Sequence, residues 1–336
     1  MRKMATLRVI DAIGPIEGAD AIEVATVGGW KVVVKKGEFT VGARAVYCEI
    51  DSWIPTELAP FLSKGKEPRE FEGVKGERLR TVKLRGQLSQ GLLLNLDAVL
   101  PGTNSFQDGD DVSEVLNIRK WEMPMNAQLA GLVKGTFPSQ IPKTDQERVQ
   151  NLNKEIAAAE GMMFEVTEKL EGSSMTCYLI DGEFGVCSRN MDLKRDENNA
   201  FWATAIREDI EAKMRDTGSD AQFAIQGELI GPGIQNNIYK KSGTEFYVFD
   251  VYNIQTGEYL KPAFRRALIE RMGLNHVPLI NPNYPIVASI DGLLEAAEGA
   301  SVLSPMRIER EGIVFKQVDG GMTFKAISNK YLLGEK

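Results

Sequence analysis

The sequence has few of the residues on which histidine chemistry and disulfide frameworks depend. Its 336 residues include one histidine, His276, so a Ser-His-Asp triad or a histidine-rich metal site is hard to build. The three cysteines, Cys48, Cys177 and Cys187, are too few and too scattered for a disulfide framework or a zinc site. We therefore expect a reducing compartment, the cytoplasm, and a structural role for His276 near the end of a helix.

Long apolar runs and an excess of positive charge are also missing. No apolar run approaches the length that spans a membrane, and the N-terminus leads into a short strand instead of a signal-peptide core, so we expect no membrane partner. The net charge of −7 argues against indiscriminate coating of nucleic acid, although a local basic groove can lie on an acidic protein. At this length two domains, each with a buried core, are expected.

The first hundred residues contain a series of short strand patterns separated by glycine turns. These patterns cover residues 7–10, 22–25, 30–34, 44–48 and 92–94. Many short strands at this spacing predict a small closed barrel of the OB-like type.

A cluster of cations follows in the segment from Arg78 to Arg85. We interpret it as one strand over residues 78–85 that carries four cations on one face, among them Arg80, Lys83 and Arg85. Such a strand is either a solvated edge guarded by charge or a groove that follows a nucleic-acid backbone.

The pattern changes after residue 97, where prolines and glycines indicate a junction between domains. Thr144 and Glu147 have the spacing of a capping box, which predicts the start of an amphipathic helix. Beyond it, strands near residues 164, 178, 225 and 246 alternate with helices near 200–215, 262–272 and 291–299. We expect an α+β chain with an OB-like domain over 1–125, a linker over 126–140 and a second domain over 141–336.

The most informative stretch runs from Val166 to Ser174. It places Lys169 at the mouth of a glycine turn, with Glu171 two residues further on and Gly172 next to it. A lysine amine is a nucleophile only once it has lost its proton, a carboxylate can hold a hydrated divalent metal, and glycine lets the backbone approach a phosphate. Taken alone, the tetrapeptide could equally be an ordinary charged turn at a strand end.

The following hairpin returns an arginine to this turn. Asp181-Gly182 is a two-residue hairpin signal that pairs Ile180 with Glu183. Counting back along both strands puts Arg189 opposite Ser174, where a guanidinium could grip a phosphate or a ribose.

Later strands offer more candidates, each with an ordinary structural alternative. Glu228 ends an apolar strand, and Phe249 lies in an aromatic strand whose rings could equally be core. Lys316 and Lys325 belong to two strands separated by Gly320-Gly321, and the first of these strands begins at Glu311-Gly312. The signal lies in the order of these items along the chain.

That order resembles the covalent nucleotidyltransferase superfamily of ligases and capping enzymes. DNA ligases and capping guanylyltransferases carry a further OB domain after the last motif, whereas this chain continues for only eleven residues beyond Lys325, so we expect that domain to be absent. The segments 142–148 and 324–333 are similar to those of RNA ligases, and the whole chain resembles RNA ligase family 5. The resemblance implies an N-terminal OB-like β-barrel followed by a nucleotidyltransferase (ATP-grasp-like ligase) domain of antiparallel sheets and helices.

The resemblance also implies an ATP-dependent RNA ligase that seals a 3′-OH to a 5′-phosphate, at nicks, through lysyl-AMP and RNA-adenylate. The implied nucleophile is Lys169, with Lys316 and Lys325 on the α-phosphate and Arg189 on the ribose or the 5′-phosphate. The implied ligands of Mn²⁺ or Mg²⁺ are Glu171, Glu228 and Glu311. One departure is Glu171, where aspartate is common in relatives.

The implied nucleotide contacts are Phe249 stacked on adenine, Thr167 and Glu168 through their backbone groups, and Glu228. Lys143 and Arg148 could reach the β- and γ-phosphates or could form surface salt bridges. Arg80, Lys83 and Arg85 are the candidates for contact with RNA, and a monomer is expected.

Three other functions remain open on the sequence. A ligase of the same chemistry could act on DNA or on mixed strands, because the discrimination depends on contacts with the 2′-OH. A guanylyltransferase is disfavoured by the missing C-terminal domain. A non-catalytic protein that binds nucleotide or RNA ends is disfavoured because Lys169, Glu228, Glu311 and Lys325 are all present.

Overall fold

The fold is described from a computed structural model, which describes residues 2–102, 105–122, 131–218 and 221–334. The chain divides into an N-terminal unit, residues 1–124 with 150–153, and a C-terminal unit, residues 125–149 with 154–336. Part of the predicted linker, residues 126–130, lies outside the described residues. No helix among the described residues is long and apolar enough to cross a membrane.

Short antiparallel strands build the N-terminal unit, as predicted. In chain order they are β1 (Ala5–Val9), β2 (Ala12–Ile16), β3 (Ala19–Val27), β4 (Trp30–Lys35), β5 (Arg44–Cys48), β6 (Ser52–Pro55), β7 (Arg69–Phe71), β8 (Val74–Arg78), β9 (Val82–Leu84), β10 (Gln87–Ser89), β11 (Leu92–Asn95) and β12 (Arg119–Lys120). One helix, α1 (Leu96–Val99), follows β11, and a 3-10 turn covers Pro60–Ser63. All five strand patterns predicted from the sequence are confirmed.

The strands of this unit form three small sheets and a hairpin. The strand orders are β1-β5-β11, β2-β3-β4 and β12-β6-β8-β7, and β9 pairs with β10 as a separate hairpin. Two hydrogen bonds link β4 to the chain around β10, because Val33 N donates to Ser89 Oγ and Gln90 N donates to Lys31 O. Leu7, Val46 and Ile54 lie in the buried apolar cluster.

The prediction of one strand over residues 78–85 is wrong. Strand β8 ends at Arg78, Leu79 and Thr81 turn inward and are buried, and β9 begins only at Val82. Lys83 and Arg85 are offset by one position from Arg78 and Arg80, so a strand of period two could not place all four cations on one face. Arg80, Lys83 and Arg85 are nevertheless exposed.

The C-terminal unit contains two antiparallel sheets and six helices among its described residues. The strands are β13 (Val133–Thr136), β14 (Met163–Lys169), β15 (Ser173–Ile180), β16 (Glu183–Cys187), β17 (Met191–Leu193), β18 (Phe223–Ile230), β19 (Glu245–Asn253), β20 (Glu258–Tyr259), β21 (Asn275–His276), β22 (Leu279–Pro285), β23 (Gly312–Gln317) and β24 (Thr323–Ile327). The helices are α2 (Asn153–Ala158), α3 (Ala200–Arg207), α4 (Ile210–Arg215), α5 (Pro262–Arg271), α6 (Ile290–Ala297) and α7 (Asn329–Leu333).

The larger sheet has the order β13-β17-β16-β15-β18-β19-β20, with β21 added in parallel to β19. One of its faces is apolar and packs on α3, α4 and α5 through residues such as Phe201, Met214 and Ile269. The smaller sheet has the order β22-β14-β23-β24. Strand β13 lies within the predicted linker and joins the larger sheet through β17.

The hairpin prediction is confirmed in register. Ile180 pairs with Glu183, and the ladder continues to Thr176 paired with Cys187. Asp181 and Gly182 have φ values of 49° and 77°, the left-handed pair that a type I′ turn requires.

The helix predicted to begin at Thr144 is wrong. Residues 142–147 have no helical structure, and the first helical turns after them are the 3-10 helix Val149–Asn151 and α2. The hydroxyl that was expected to cap a helix hydrogen-bonds Ser174 Oγ at 3.0 Å, and Glu147 O accepts from Lys325 N at 2.9 Å. Tertiary contacts therefore hold this segment extended against the local capping signal.

Candidate active site

Three lysines lie on one face of the smaller sheet. Lys169 of β14 is paired with Gly312 of β23, and Val314, two residues further along β23, is paired with Lys325 of β24. Lys316 follows after two more residues. Because paired residues and residues two apart share a face, Lys169, Lys316 and Lys325 point to the same side of the sheet.

The opposite face of this sheet is an aromatic core. The rings of Phe315 and Phe324 stack with centroids 4.7 Å apart, and Phe164 meets Phe324 edge-on at 5.7 Å. Glu168 points to this side, where Val302 N donates to its Oε2 at 2.8 Å. Burial raises the pKa of Glu168, and hydrogen bonds from Ser301 and Val302 oppose that shift. Its side chain is therefore separated by the sheet from Lys169.

Lys169 forms an ion pair at the end of β14. Its Nζ lies 2.7 Å from Glu311 Oε2, and both side chains are partly exposed, at 25% and 18%. The chain then turns through Leu170, Glu171 and Gly172 into β15. A Cβ on Gly172 would lie 2.4 Å from Leu229 O and 2.8 Å from Glu228 Cγ, so only glycine lets the turn approach β18 this closely.

Glu228 faces the same turn from the larger sheet. It is paired with Ser174 and Tyr247 across β15 and β19. Burial raises the pKa of the Glu228 carboxyl to about 8, with a further upward contribution from Glu311, whereas Lys169 and Arg189 lower it. The Glu228 carboxyl group therefore lies near one other carboxylate, that of Glu311, and near two cations, Lys169 and Arg189.

Glu171 is held by side chains from outside its own turn. Asn236 Nδ2 donates to Glu171 Oε1 at 2.9 Å, and the backbone N–H of Glu171 donates to Tyr239 Oη at 2.6 Å. Tyr331 of α7 lies near these carboxyl groups. Burial raises the pKa of its hydroxyl group, and the charges of Glu311 and Glu171 raise it further. Glu171 itself is buried.

The hairpin count placed Arg189 opposite Ser174, but the ladder between β15 and β16 ends at Thr176 paired with Cys187. Arg189 still lies near Glu228, because its charge lowers the pKa of that carboxyl group. Strand β16 ends at Cys187, and Arg189 lies in the turn before β17, where it forms an ion pair of 2.5 Å with Asp145. In the same way Lys143 Nζ donates to Asn190 Oδ1 at 2.9 Å. The segment 142–148 therefore lies along the turn that carries Arg189.

A β-bulge aims Phe249. Gln226 pairs with Asp250 but the next residue, Gly227, pairs with Val248, which leaves Phe249 as the extra residue of β19. Such a bulge redirects one side chain out of the regular alternation. Phe249 is partly exposed and packs beside the cluster of Leu170, Tyr239 and Val277.

Lys316 lies under this ring. Its Nζ is 5.6 Å from the Phe249 ring centroid, donates to Phe249 O at 2.8 Å and forms an ion pair of 2.5 Å with Asp250. Burial lowers the pKa of Lys316 to about 8, although Asp250 opposes the shift. To contact a phosphate, this ammonium would have to leave both partners.

A buried charge network continues below Asp250. Arg265 contacts Asp250 at 3.5 Å and pairs with Glu165, which also pairs with Arg266. Arg265 Nε donates to His276 Nε2 at 3.2 Å, so the imidazole proton is on Nδ1, 2.6 Å from Val277 O. Burial, followed by Arg265, lowers the pKa of His276 to about 3. His276 lies in β21, beyond the end of α5, and its contacts are structural.

The remaining predicted residues are distributed as follows. Thr167 is buried and shares the lysine-bearing face through its partner Val314. Arg148 is buried and forms an isolated parallel bridge with Lys325. Sequence reasoning assigned no role to Asp250, Asn236, Tyr239 or Arg265. Asp250 had a signal, since it directly follows Phe249, whereas the others contact the site from loops and helices far away in sequence.

The carboxylates of this site fit a hydrated divalent cation. Among the described residues, no three His, Cys, Asp or Glu side chains are spaced to hold a metal ion directly. Glu311 is paired with Lys169, the charge of Lys169 lowers the pKa of Glu228, and Glu171 follows Lys169 by two residues. Burial is the main cause of the raised pKa of Glu228, the charge of Glu311 is a smaller one, and a bound cation would oppose both. Contacts through water suit Mg²⁺, which gives up its hydration shell reluctantly.

Comparison with known proteins agrees with this architecture. A family model described as RNA ligase matches residues 162–331, and one described as an OB-fold domain matches residues 4–96. No curated protein sequence gives a significant match. A barrel-like OB domain followed by a ligase domain of two antiparallel sheets defines a polynucleotide-joining ligase.

Solved structures of the Naegleria gruberi RNA ligase are similar over nearly the whole chain. A lysine-to-alanine variant with ATP and Mn has a TM-score of 0.92 and 45% identity, covering 98% of both chains. The ligase with PPi has a TM-score of 0.92 and 45% identity, covering 99% of this chain and 98% of that one. A lysine-to-methionine variant with AMP and Mn has a TM-score of 0.92 and 44% identity, covering 100% of both. The chain therefore belongs to the RNA ligase family, and the predicted fold class and enzyme class are confirmed.

Proposed function

We propose that the chain is an ATP-dependent RNA ligase that joins a 3′-OH to a 5′-phosphate, at nicks, through lysyl-AMP and RNA-adenylate. The observation that carries the proposal is the position of Lys169, whose Nζ lies 2.7 Å from Glu311 on a sheet face shared with Lys325. The complexes of the Naegleria gruberi RNA ligase with ATP, AMP and PPi support it.

Three transfers make up the reaction. The deprotonated amine of Lys169 attacks the α-phosphorus of ATP, so that an N–P bond forms, a P–O bond breaks and pyrophosphate leaves. An oxygen of the RNA 5′-phosphate then attacks the AMP phosphorus and releases the lysine. Finally the 3′-OH attacks the activated 5′-phosphate, which forms the phosphodiester and releases AMP.

Lys325 is our assignment for the α-phosphate, where negative charge builds up in the transition state. Lys316 remains a second candidate for that contact, but its partners Phe249 and Asp250 suit a support of the base pocket better. Arg189 would exchange Asp145 for the ribose or the 5′-phosphate. All these groups act by placing positive charge near oxygens that gain negative charge.

Glu171, Glu228 and Glu311 would hold Mn²⁺ or Mg²⁺ through its water shell. When bound, the cation neutralises charge on the α-phosphate and favours loss of the Lys169 proton. Glu311 pairs with the Lys169 ammonium, and burial raises the pKa of Glu228, an effect that a nearby cation would oppose. Gly172 keeps the turn close enough to β18 for these carboxyl groups to meet.

The nucleotide pocket is proposed around Phe249, which would stack on adenine, with Thr167 and Glu168 contributing through their backbone groups. Lys143 and Arg148 are the candidates for the β- and γ-phosphates. Lys143 Nζ donates to Asn190 Oδ1, so it would have to leave this partner to reach a phosphate.

The N-terminal unit is proposed to bind RNA through Arg80, Lys83 and Arg85, which are exposed. We retain domain boundaries of 1–125, 126–140 and 141–336 as part of the proposal. The enzyme would act as a monomer on RNA and ATP in the cytoplasm without a membrane partner, a setting that suits three buried free cysteines.

The test is to incubate the protein with α-³²P-ATP and Mn²⁺ or Mg²⁺ and to analyse it on a denaturing gel. Wild-type chain should carry label that a 5′-phosphorylated nicked RNA duplex discharges into a sealed strand. Lys169→Ala should carry none, whereas Lys154→Ala, which removes an exposed lysine of α2, should label normally.

Three outcomes would change the proposal. Label from GTP in place of ATP would indicate a capping enzyme. Equal sealing of a DNA nick would remove the RNA specificity, and a folded protein that takes no label would leave only nucleotide or RNA-end binding.

A further inference from the structure

The loop between β18 and β19, residues 231–244, is closed and strained. Its two ends touch, since a Cβ on Gly231 would lie 2.6 Å from Gly243 O. Three residues that are not glycine have left-handed backbone angles, with φ of 45° at Gln235, 42° at Asn237 and 54° at Lys240. Each such residue costs on the order of 1 kcal/mol, and clusters of them persist where the surroundings fix them for a purpose.

Two hydrogen bonds between Asn237 and Lys241 stabilise the loop. Asn237 Nδ2 donates to Lys241 O at 3.0 Å, and Lys241 N donates back to Asn237 Oδ1 at 3.1 Å. This reciprocal pair stabilises the left-handed turn at Asn237. Asn236 precedes it, between two left-handed residues, so its backbone and side chain have a defined direction.

That direction is toward the lysine turn. Both the side-chain amide and the backbone N–H of Asn236 approach Glu171 Oε1, at 2.9 Å and 3.4 Å. Tyr239, three residues later, accepts the backbone N–H of Glu171 at 2.6 Å. One loop therefore holds both the backbone and the carboxylate of the same residue.

We propose that Asn236 is a positioning residue that aims the Glu171 carboxylate at the cation beside Lys169, with Tyr239 fixing the backbone of the turn. The inference rests on the proposed function. Glutamate has one more rotatable bond than aspartate, so its carboxylate needs a restraint to keep one direction. A neutral amide supplies that restraint without cancelling the negative charge, whereas lysine or arginine would neutralise the carboxylate and repel a cation.

The role can be separated from a structural one. Asn236 is exposed, so its truncation removes little buried surface and should leave the fold intact. A group that orients a metal-binding side chain typically changes metal affinity by about tenfold to a hundredfold when it is removed.

The experiment measures Mn²⁺ affinity directly by electron paramagnetic resonance of free Mn²⁺, with ATP present, in a Lys169→Ala background that cannot turn over. Asn236→Ala should weaken Mn²⁺ binding about tenfold. The control Gln235→Ala alters an exposed residue of the same loop and should leave the affinity unchanged. In a Glu171→Ala background Asn236→Ala should have no further effect, because the two residues act as one unit.

A second readout uses the chain with Lys169 intact. Asn236→Ala should raise the Mn²⁺ concentration for half-maximal self-labelling by α-³²P-ATP and recover its rate at saturating Mn²⁺. Unchanged Mn²⁺ affinity would overturn the proposal, whether or not the thermal midpoint falls. Absence of labelling in the wild-type chain would instead overturn the proposed function.

Discussion

Lys316 and Phe249 contact each other twice, through the backbone and through the ring. The ammonium donates to Phe249 O at 2.8 Å and lies 5.6 Å from the ring centroid, while Asp250 neutralises it at 2.5 Å. The bulge that frees Phe249 from the alternation of β19 is therefore fixed by a lysine from the other sheet. The ring of Phe249 is therefore contacted by Lys316 and remains partly exposed.

The first prediction concerns this ring. Phe249→Ala should raise the KM for ATP by about fivefold to 150-fold in the self-labelling reaction, since stacking of a base on an aromatic side chain contributes about 1–3 kcal/mol. Phe249→Trp should retain most of the affinity. Phe264→Ala, which removes an exposed ring from α5, is the matched control. An unchanged KM would mean that adenine binds elsewhere.

The second prediction concerns the glycine of the lysine turn. Gly172→Ala should destabilise the C-terminal unit by about 1–3 kcal/mol and abolish self-labelling, because the new methyl group would lie 2.4 Å from Leu229 O. Chemical denaturation and labelling measure the two effects. Gly135→Ala is the control, since its Cβ would meet nothing within 4 Å. A stable, active Gly172→Ala variant would show that the turn can move away from β18.

Much of this site was readable from the chain because its signals are local. The Asp181-Gly182 turn fixes the register that brings Arg189 back, and short β-branched and aromatic runs set the strands that carry Lys169, Glu228 and Lys325. The face that the lysines share depends instead on the pairing of Lys169 with Gly312 and of Val314 with Lys325. Lys169 and Gly312 lie far apart in the chain, so that part of the site could not be inferred from a local signal.

The failures have the opposite cause. The capping signal of Thr144 and Glu147 was overridden by two distant contacts: Thr144 bonds Ser174, 30 positions away, and Glu147 O accepts from Lys325 N, 178 positions away. Asn236 contacts the site from a loop, and Arg265 contacts it from a helix. No local sequence pattern predicts which residues these two side chains contact. Residues 78–85 failed for a simpler reason, since buried Leu79 and Thr81 interrupt the strand.

The third prediction uses the only histidine of the chain. The pKa of His276 is about 3 in the folded protein and about 6.5 in the unfolded chain, so between these values the unfolded chain binds a proton that the folded chain does not. Its contribution to the free energy of unfolding is complete above pH 6.5 and is lost as the pH falls toward 3. That loss amounts to about 2 kcal/mol between about pH 7.5 and pH 5.

His276→Gln removes the imidazole group that binds a proton in the unfolded chain. The free energy of unfolding of this variant should therefore fall less on acidification than that of the wild-type chain. Glutamine can still accept from Arg265, so the buried guanidinium keeps a partner. Urea unfolding at both pH values gives the free energy of unfolding of each protein. The contributions of the other titratable groups are the same in both proteins and therefore cancel in the difference. Parallel pH dependences for wild type and variant would contradict the assignment of a neutral, buried imidazole.

The fourth prediction concerns the exposed cations of the N-terminal unit. Replacing Arg80, Lys83 and Arg85 together by alanine should weaken binding to a nicked RNA duplex and reduce the salt dependence, lowering the slope of log K against log salt by up to about 2–3 if each cation meets one phosphate. Self-labelling with ATP should be unaffected, because these residues are not assigned to the adenylylation step. Filter binding at several salt concentrations measures the slope.

The matched control is alanine at Lys35, Lys36 and Lys66, which removes the same charge from exposed positions of the same unit. Net charge alone would make the two triple variants equal, whereas a contact surface would make the first weaker. The three cations do not lie on one regular strand. Arg80 precedes β9, Lys83 lies within it, and Arg85 lies in the turn after it with φ of 49°. Single substitutions should then have unequal effects, and equal small effects from all six positions would mean that RNA is held elsewhere.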